Sequence, residues 1–246
     1  MLKKRIIISL TFLDGVLFRT KKFNPDYRYT KNFVDLWSID ELIIIDLSNK
    51  KFSKEYLNLI NFFSKNCFVP ISIGGGINSL QEADIYFKNG ADKIVLGPGT
   101  ICNSKISQEI SMKYGKQSII QALDCKKTCE DKYEVYYKSG KKSMNHTPEF
   151  LGKKALSNGV GEILINSIDN DGSLLGYDIN LIKHMSQQLD CPIIALGGAG
   201  NWKHILQLFQ ETNISAACTQ NIFHFTEHSI LSAKNFLKNY KIKIRK

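Results

Sequence analysis

Two stretches of this chain, FVPISIGGGI at residues 68–77 and DCPIIALGGAG at residues 190–200, follow one pattern and decide the fold. In each, a proline precedes a short apolar run, and a glycine-rich turn ends it. A second pair, DELIIID at 40–46 and GEILINS at 161–167, repeats at nearly the same offset, close to half the chain length. Such self-similarity indicates a fold built from two equivalent halves.

Short runs rich in Ile, Val and Leu recur along the chain with amphipathic segments between them, which is typical of parallel strands joined by crossover helices. Eight such runs in 246 residues predict one (β/α)8 TIM barrel domain over residues 1–246. The candidate strands are RIIISL (5–10), ELIIID (41–46), PISIG (70–74), KIVLG (93–97), SIIQALD (118–124), EILINSID (162–169), PIIALG (192–197) and SAACT (215–219). The amphipathic segments between them include SKEYLNLINFFSKN (53–66), SLQEADIYFKNG (79–90), TPEFLGKKALSNG (147–159), DINLIKHMSQQLD (178–190) and NWKHILQLFQET (201–212).

Composition narrows the class of partner. The formal charge is +10, but the lysines are spread over the whole chain and no basic stripe with exposed aromatics occurs, so we expect no nucleic-acid partner. The positive charge favours phosphorylated small molecules instead. No run of eighteen apolar residues occurs, and the start is too quickly polar for a cleavable signal. We therefore expect a cytoplasmic protein without a membrane partner.

The six cysteines are scattered, and only Cys125 and Cys129 lie close together. A zinc site needs a second pair of Cys or His residues at ligand spacing, and the sequence contains none. We expect neither a metal nor a cofactor.

Glycine-rich turns follow the third and seventh candidate strands, with Gly75 and Gly76 in one and Gly197 and Gly198 in the other. Barrel active sites lie at these carboxyl ends, and glycine lets backbone N–H groups approach an anion closely. A tight strand-to-helix turn without a ligand explains one such turn equally well. Two turns at equivalent positions favour a ligand with a phosphate at each end.

Further stretches complete a recognisable pattern: LDG (13–15), NGADKI (89–94), ALDCKK (122–127), YKSGKK (137–142), GEILINSIDNDGSLLGYD (161–178) and IFHF (222–225). With these motifs the chain resembles the cyclase subunit of imidazole glycerol phosphate synthase over almost its whole length. SIDNDGS followed by GYD is the most specific part of the resemblance.

The resemblance implies a glutaminase partner at the amino-terminal face of the barrel. Ammonia from this partner crosses the barrel and attacks a doubly phosphorylated ribulosyl intermediate, with two aspartates as acid and base. Asp124 occupies the position of one aspartate, at the end of the fifth strand, but Thr11 stands at the other, on the first strand. A threonine hydroxyl does not act as a base near neutral pH, and losing a general acid or base typically costs roughly 10²–10⁴ in rate.

The phosphate contacts implied by the resemblance are partly altered. In this chain Arg19 replaces a lysine of the family, and Gly97 with the following proline replaces an Asn-Thr pair. Leu196 replaces a serine, and Gln220 with Asn221 replaces an Ala-Ser pair. The first loop is also shorter than in the family. The candidates for phosphate or substrate binding are Arg19, Gly75, Gly76, Gly97, Ser139, Asp171, Gly172, Gly197, Gly198 and Asn221.

At the opposite end of the barrel, four positions match the charged ring that gates ammonia in the family, and Asp92 matches an acid at the glutaminase interface. The alternative is a salt-bridged structural plug, although apolar residues would seal a barrel as well, since buried charges are costly unless fully paired. The ring positions are Arg5, Glu41, Lys93 and Glu162.

KKFNPDY at 21–27 resembles the first loop of a side branch of the family, whose members work with a glutaminase and a separate sugar amidotransferase in amidinating surface-glycan sugars. Our first hypothesis is therefore a synthase-type subunit that passes ammonia through the barrel for amidination of an N-acetyl sugar. The alternative is the cyclase of histidine biosynthesis. A third hypothesis is a non-catalytic barrel that binds a phosphorylated metabolite and activates the glutaminase.

Overall fold

The computed structural model describes residues 3–31, 38–48, 50, 52–129, 132–220 and 230–245. Eight parallel strands form a closed barrel, in which the strand at Glu162–Ser167 pairs with both Ile119–Cys129 and Ile193–Leu196 and so completes the circle. This confirms the predicted (β/α)8 TIM barrel. With strands numbered in chain order, the barrel strands are β1 (Arg5–Leu13), β4 (Glu41–Asp46), β5 (Ile71–Gly74), β6 (Lys93–Leu96), β7 (Ile119–Cys129), β10 (Glu162–Ser167), β11 (Ile193–Leu196) and β12 (Ala216–Thr219).

The barrel strands are buried on both faces, which explains why they read as continuous apolar runs. Side chains of one face point outward and form a large cluster beneath the helices. Side chains of the other face fill the barrel interior with a separate apolar cluster. The interior cluster consists of Ile7, Ile43, Val95, Ile120, Leu164, Ile194, Ala216 and Cys218.

Seven helices in the described part of the chain surround the strands, and none of them is both long and apolar enough to cross a bilayer. Several begin at a side chain that accepts a backbone N–H, such as Ser79 before α2 and Asp178 before α5. The helices are α1 (Lys54–Asn66), α2 (Leu80–Lys88), α3 (Ser104–Tyr114), α4 (Pro148–Ser157), α5 (Ile179–Gln188), α6 (Trp202–Glu211) and α7 (Ile230–Asn239).

Two antiparallel extensions rise from the carboxyl ends of β1 and β7, the first strands of the two halves. The first is the hairpin of β2 (Val16–Lys21) and β3 (Asn24–Tyr29), and the second comprises β8 (Lys132–Tyr137) and β9 (Lys142–Ser143). Lys22 and Phe23, at the tip of the first hairpin, have φ of 51° and 64°. Positive φ at both central residues is the geometry of a type I′ turn, which matches the twist of hairpin strands.

Candidate active site and charged ring

The four predicted ring residues lie together across the amino-terminal end of the barrel interior. Each comes from a different strand, because Arg5, Glu41, Lys93 and Glu162 are the first residues of β1, β4, β6 and β10. The two carboxylates alternate with the two cations, so that each carboxylate contacts both. Arg5 Nη1 lies 2.7 Å from Glu41 Oε1, and Arg5 Nη2 donates to Glu162 Oε1. Lys93 Nζ lies 3.2 Å from Glu41 Oε2 and 3.0 Å from Glu162 Oε2.

The ring is largely withdrawn from solvent. The side chains of Glu41 and Glu162 are 3% and 6% exposed, and that of Lys93 is 18% exposed. Burial alone would lower the pKa of the Arg5 guanidinium, but the carboxylates of Glu162 and Glu41 raise it above its ordinary value. The ring is therefore a fully paired, charged layer, which meets the condition under which buried charges are tolerated.

Outside the ring, the amino-terminal face forms a concavity of about 600 Å³ whose rim includes Asp92, Gln117, Pro192 and Arg245. Asp92 is exposed, and its Oδ2 accepts the N–H of Ile71 at 2.8 Å, so it also fixes the start of β5. Arg245 was not predicted from sequence. Its Nη1 lies 3.6 Å from Glu41 Oε1 and adds a third cation beside the ring.

Arg245 reaches this position because the chain end pairs with the start of β1. Lys4 forms a parallel bridge with Ile244, and Arg245 N donates to Lys4 O at 3.0 Å. A contact between residues so far apart in sequence leaves no local signal in the chain.

At the carboxyl end of the barrel, Asp124 is the predicted catalytic residue, and it lies on β7 beside Asn166 of β10. Asn166 Nδ2 donates to Asp124 Oδ1 at 3.0 Å. Burial raises the pKa of Asp124 from 3.8 to about 6; the Asn166 hydrogen bond lowers the pKa, and the charge of Asp171 raises it. A carboxyl group with a pKa near the working pH can both accept and return a proton.

Asn166 was not singled out from sequence. It is 5% exposed, and its Oδ1 has no hydrogen-bond partner among the described residues. The register places Asn166 opposite Asp124, so the two-residue period of the strands could have identified it once the neighbouring strands were known.

Thr11, the second predicted catalytic residue, is buried on β1, where it pairs with Phe18 of β2 and Ile45 of β4. Its hydroxyl donates to the carbonyl of Phe18. The hydroxyl proton is thus committed to the hairpin backbone. The resemblance implies a pair of carboxyl groups at positions 11 and 124. Of these two described positions, only 124 has one, that of Asp124.

The glycines that predicted phosphate contacts mostly occupy sites where the backbones of neighbouring segments meet. A Cβ on Gly75 would overlap Asp46, one on Gly172 would overlap the backbone of Thr20, and one on Gly197 would overlap the backbone of Ser167. Gly76 has φ of 62° in the same turn as Gly75. Gly97 differs, because it is exposed and faces open space.

Two other predicted ligand-binding residues lie on the extensions above the barrel. Arg19 of β2 pairs with Asp26 of β3, and its side chain is 13% exposed. Ser139 is exposed in the turn between β8 and β9, and lines a cavity of about 380 Å³ together with Lys22, Phe23 and Lys126. Asn221 lies outside the described residues.

Asp171 joins the first hairpin to the rest of the mouth of the barrel. Its Oδ2 accepts the N–H of Phe23 at 3.0 Å and the hydroxyl of Thr20 at 3.2 Å, and its Oδ1 accepts Gln220 Nε2 at 3.1 Å. Its backbone carbonyl accepts the N–H of Lys22 at 3.3 Å. The pKa of Asp171 is raised above its ordinary value by burial, although the hydrogen bonds from Phe23, Thr20 and Lys22 lower it. Asp171 therefore fixes the positive-φ turn at the tip of the hairpin through these hydrogen bonds.

Within the described residues, no cluster of three or more His, Cys, Asp or Glu side chains has the arrangement of a metal site.

The chain is thus a closed (β/α)8 barrel with a charged ring at one end and an acid at the other, and comparison with known proteins identifies its family. A family model described as "Histidine biosynthesis protein" matches residues 9–229, and the chain belongs to this family. The comparison confirms the resemblance found in the sequence at the level of the family.

Three relatives are named "Imidazole glycerol phosphate synthase subunit HisF", and each aligns over 100% of both chains. The protein from Streptococcus mutans serotype c is 31% identical, that from Prosthecochloris aestuarii 36% and that from Bacillus cereus (strain G9842) 32%.

Proposed function

We propose that the chain is the synthase subunit of a glutamine-dependent complex of the imidazole glycerol phosphate synthase type. In this role it docks a glutaminase at its amino-terminal face and admits ammonia through the charged ring. The observation that carries the proposal is the ring itself, in which two carboxylates and two cations from four strands form four ion pairs.

A purely structural closure of the barrel would not need these charges. The layer above the ring is apolar, and replacing a buried ion-pair network by apolar residues is often neutral or stabilising. Paired charges instead offer a set of polar contacts that can be exchanged for contacts with a small polar molecule. The ring suits the admission of ammonia from outside.

The apolar interior between the ring and Asp124 supports passage of the neutral molecule. Transfer of an ion into such surroundings is far more costly than transfer of a neutral polar group. NH3 therefore crosses this layer more readily than NH4+, and it arrives at the mouth as a nucleophile. The concavity outside the ring, with Asp92 and Arg245 at its rim, provides the docking face for the glutaminase.

Asp124 is the general acid or base at the end of the barrel where the ammonia arrives. With a pKa of about 6, Asp124 is mostly ionised at neutral pH. It can therefore take a proton from the nitrogen as ammonia attacks and return that proton to a leaving group. Asn166 holds the carboxylate in place through a single hydrogen bond.

Two reactions are candidates at this mouth. The first is the cyclisation that forms imidazole glycerol phosphate, which is the reaction named by relatives that match the chain over its full length. The second is amidination of an N-acetyl sugar by a separate sugar amidotransferase that receives the ammonia. The second is favoured by Thr11, whose hydroxyl donates to the hairpin backbone where the resemblance implies a carboxylate.

The test uses the full chain and a glutaminase subunit from the same organism. Glutamine hydrolysis is measured with and without the chain, and then with the phosphoribulosyl formimino intermediate added. Stimulated hydrolysis with turnover of the intermediate supports cyclisation, whereas stimulated hydrolysis without turnover supports the second reaction or the activator hypothesis. Hydrolysis that does not respond to the chain contradicts the proposed function.

Parallel assays with ammonium salts in place of glutamine separate the chemistry from the docking. Turnover of the intermediate with ammonium alone shows that the mouth is competent without a partner. Thr11→Asp is the informative variant, because it restores a carboxyl on β1. If the wild type shows no cyclase turnover and Thr11→Asp does, the missing catalytic group is the carboxyl at position 11.

A further inference from the structure

One end of the barrel mouth contains a small cradle formed by the turns after β10 and β11 and by the end of β12. The cavity within it measures about 20 Å³, which is the space of about one water molecule. A phosphate group, with four oxygens around a central atom, needs several times this space. The lining includes Arg19, Gly172, Gly198, Thr219 and Gln220.

The amide of Gln220 fills the cradle and is satisfied on both sides. Gln220 Nε2 donates to Thr20 Oγ1 at 2.5 Å and to Asp171 Oδ1 at 3.1 Å. Gln220 Oε1 accepts the backbone N–H of Thr20 at 2.7 Å. The amide therefore uses a backbone N–H group that an anion would otherwise recruit.

The charges around the cradle oppose an anion as well. Asp171 presents a buried carboxylate to it, and the guanidinium of Arg19 is paired with Asp26. Among the described residues that line the cradle, the one cation, Arg19, is thus already paired with an acid, and the one carboxylate is that of Asp171. Leu196, which also lines the cradle, has no polar side-chain atom.

The glycines of the cradle have a sufficient structural cause. A Cβ on Gly198 would overlap the carbonyl of Gly176, and one on Gly172 would overlap the hairpin backbone at Thr20. Close packing of the chain on itself requires glycine at these positions whether or not a phosphate binds there.

We propose that Gln220 is a specificity-determining residue that excludes a phosphate from this end of the mouth. The acceptor of ammonia presents an uncharged polar group, such as a hydroxyl or an amide, to the ends of β11 and β12. The identity of that molecule as an ammonia acceptor rests on the second reaction of the proposed function, but the exclusion of phosphate does not.

The experiment measures binding of inorganic phosphate to the isolated full-length chain by isothermal titration calorimetry at constant ionic strength. Gln220→Ser removes the amide and opens the cradle, so we expect its Kd for phosphate to be at least tenfold lower than that of the wild type. Gln210→Ser, at an exposed position of α6, is the control and leaves the Kd unchanged. Because no glutaminase is present, failure of the proposed function would not alter this result.

An equal Kd in Gln220→Ser and wild type would overturn the proposal, and so would wild-type phosphate binding that is lost in Arg19→Gln. Should Gln220→Ser fail to fold, a crystal of the wild type grown in phosphate decides the matter. The expected density shows the Gln220 amide between Thr20 and Asp171. Phosphate density between Gly172 and Gly198 would contradict it.

Discussion

Replacement of Lys93 by methionine removes one cation from the charged ring and keeps most of the length of the side chain. Glu41 and Glu162, whose side chains are 3% and 6% exposed, then each lose one of two ion-pair partners. Removing one member of a buried pair typically costs about 3–5 kcal/mol. Since Arg5 still contacts both carboxylates, we expect Lys93→Met to lower the free energy of unfolding by about 2–4 kcal/mol.

For a chain of this length, that loss lowers the melting temperature by about 5–15 °C. The assay is urea unfolding of the isolated chain, followed by circular dichroism, with thermal melts in parallel. Lys113→Met is the matched control, because Lys113 also makes a close ion pair, 2.7 Å from Asp84, but its side chain is 48% exposed. Exposed pairs contribute little, so the control should lose much less stability. Equal losses in the two variants would refute the reasoning about the ring.

Three further predictions concern the mouth of the barrel. Because the pKa of Asp124 is raised from 3.8 to about 6, the free energy of unfolding should decline as pH rises through that interval. Asp124→Asn should flatten this decline and raise the free energy of unfolding at pH 7.5 by at most about 3 kcal/mol. Urea unfolding at several pH values measures both effects. A decline of the same size in the variant would assign the effect to another group. Asn166→Leu removes the hydrogen bond that lowers the pKa of Asp124, so NMR titration of that carboxyl should give a pKa above about 6, and an unchanged value would show that the bond is absent in solution. Asp171→Asn weakens the hydrogen bonds that hold the first hairpin, so trypsin should cleave after Lys21 or Lys22 sooner than in the wild type; equal cleavage rates would show that Asp171 does not restrain the hairpin.

The eight barrel strands were predictable because each is buried on both faces and therefore appears as an apolar run bounded by turn residues. Five of the helices also followed from their periodicity. The α3 and α7 segments were not among those named. Ile106 and Ile110 are the only buried aliphatic side chains of α3, and the buried face of α7 includes Lys234. The β2–β3 hairpin was missed because Lys22 and Phe23 adopt positive φ without the usual glycine or asparagine, and Asp171, distant in sequence, supports that turn.

The candidate site was predictable to the extent that strand ends determine it. The resemblance alone placed these residues at strand ends, and the structure agrees: the ring residues begin their strands, and Asp124 lies near the end of the barrel portion of β7. Contacts between distant segments could not be anticipated. Gln220, directly after β12, meets Thr20 on the hairpin that extends from the neighbouring strand β1, and Arg245 reaches Glu41 through pairing of the chain end. No local pattern encodes either contact.

The side-branch assignment stays a prediction. The comparisons name relatives that are subunits of imidazole glycerol phosphate synthase, whereas the proposal of a different acceptor rests on Thr11 and on the contacts of Gln220. The phosphate titration of Gln220→Ser and the turnover assay bear on this choice from independent directions, because one measures the isolated chain and the other measures the complex.

Hydrogen exchange of the chain with and without a glutaminase subunit from the same organism tests most directly whether the glutaminase docks at the end of the barrel that carries the charged ring. If the glutaminase binds over the ring, its presence slows exchange in the loops at the amino-terminal face of the barrel, at residues 66–72, 89–93 and 189–193. The hairpin at residues 16–29, at the opposite face, exchanges as before. Protection confined to that hairpin, or no protection at all, would contradict the assignment of the ring as the docking end.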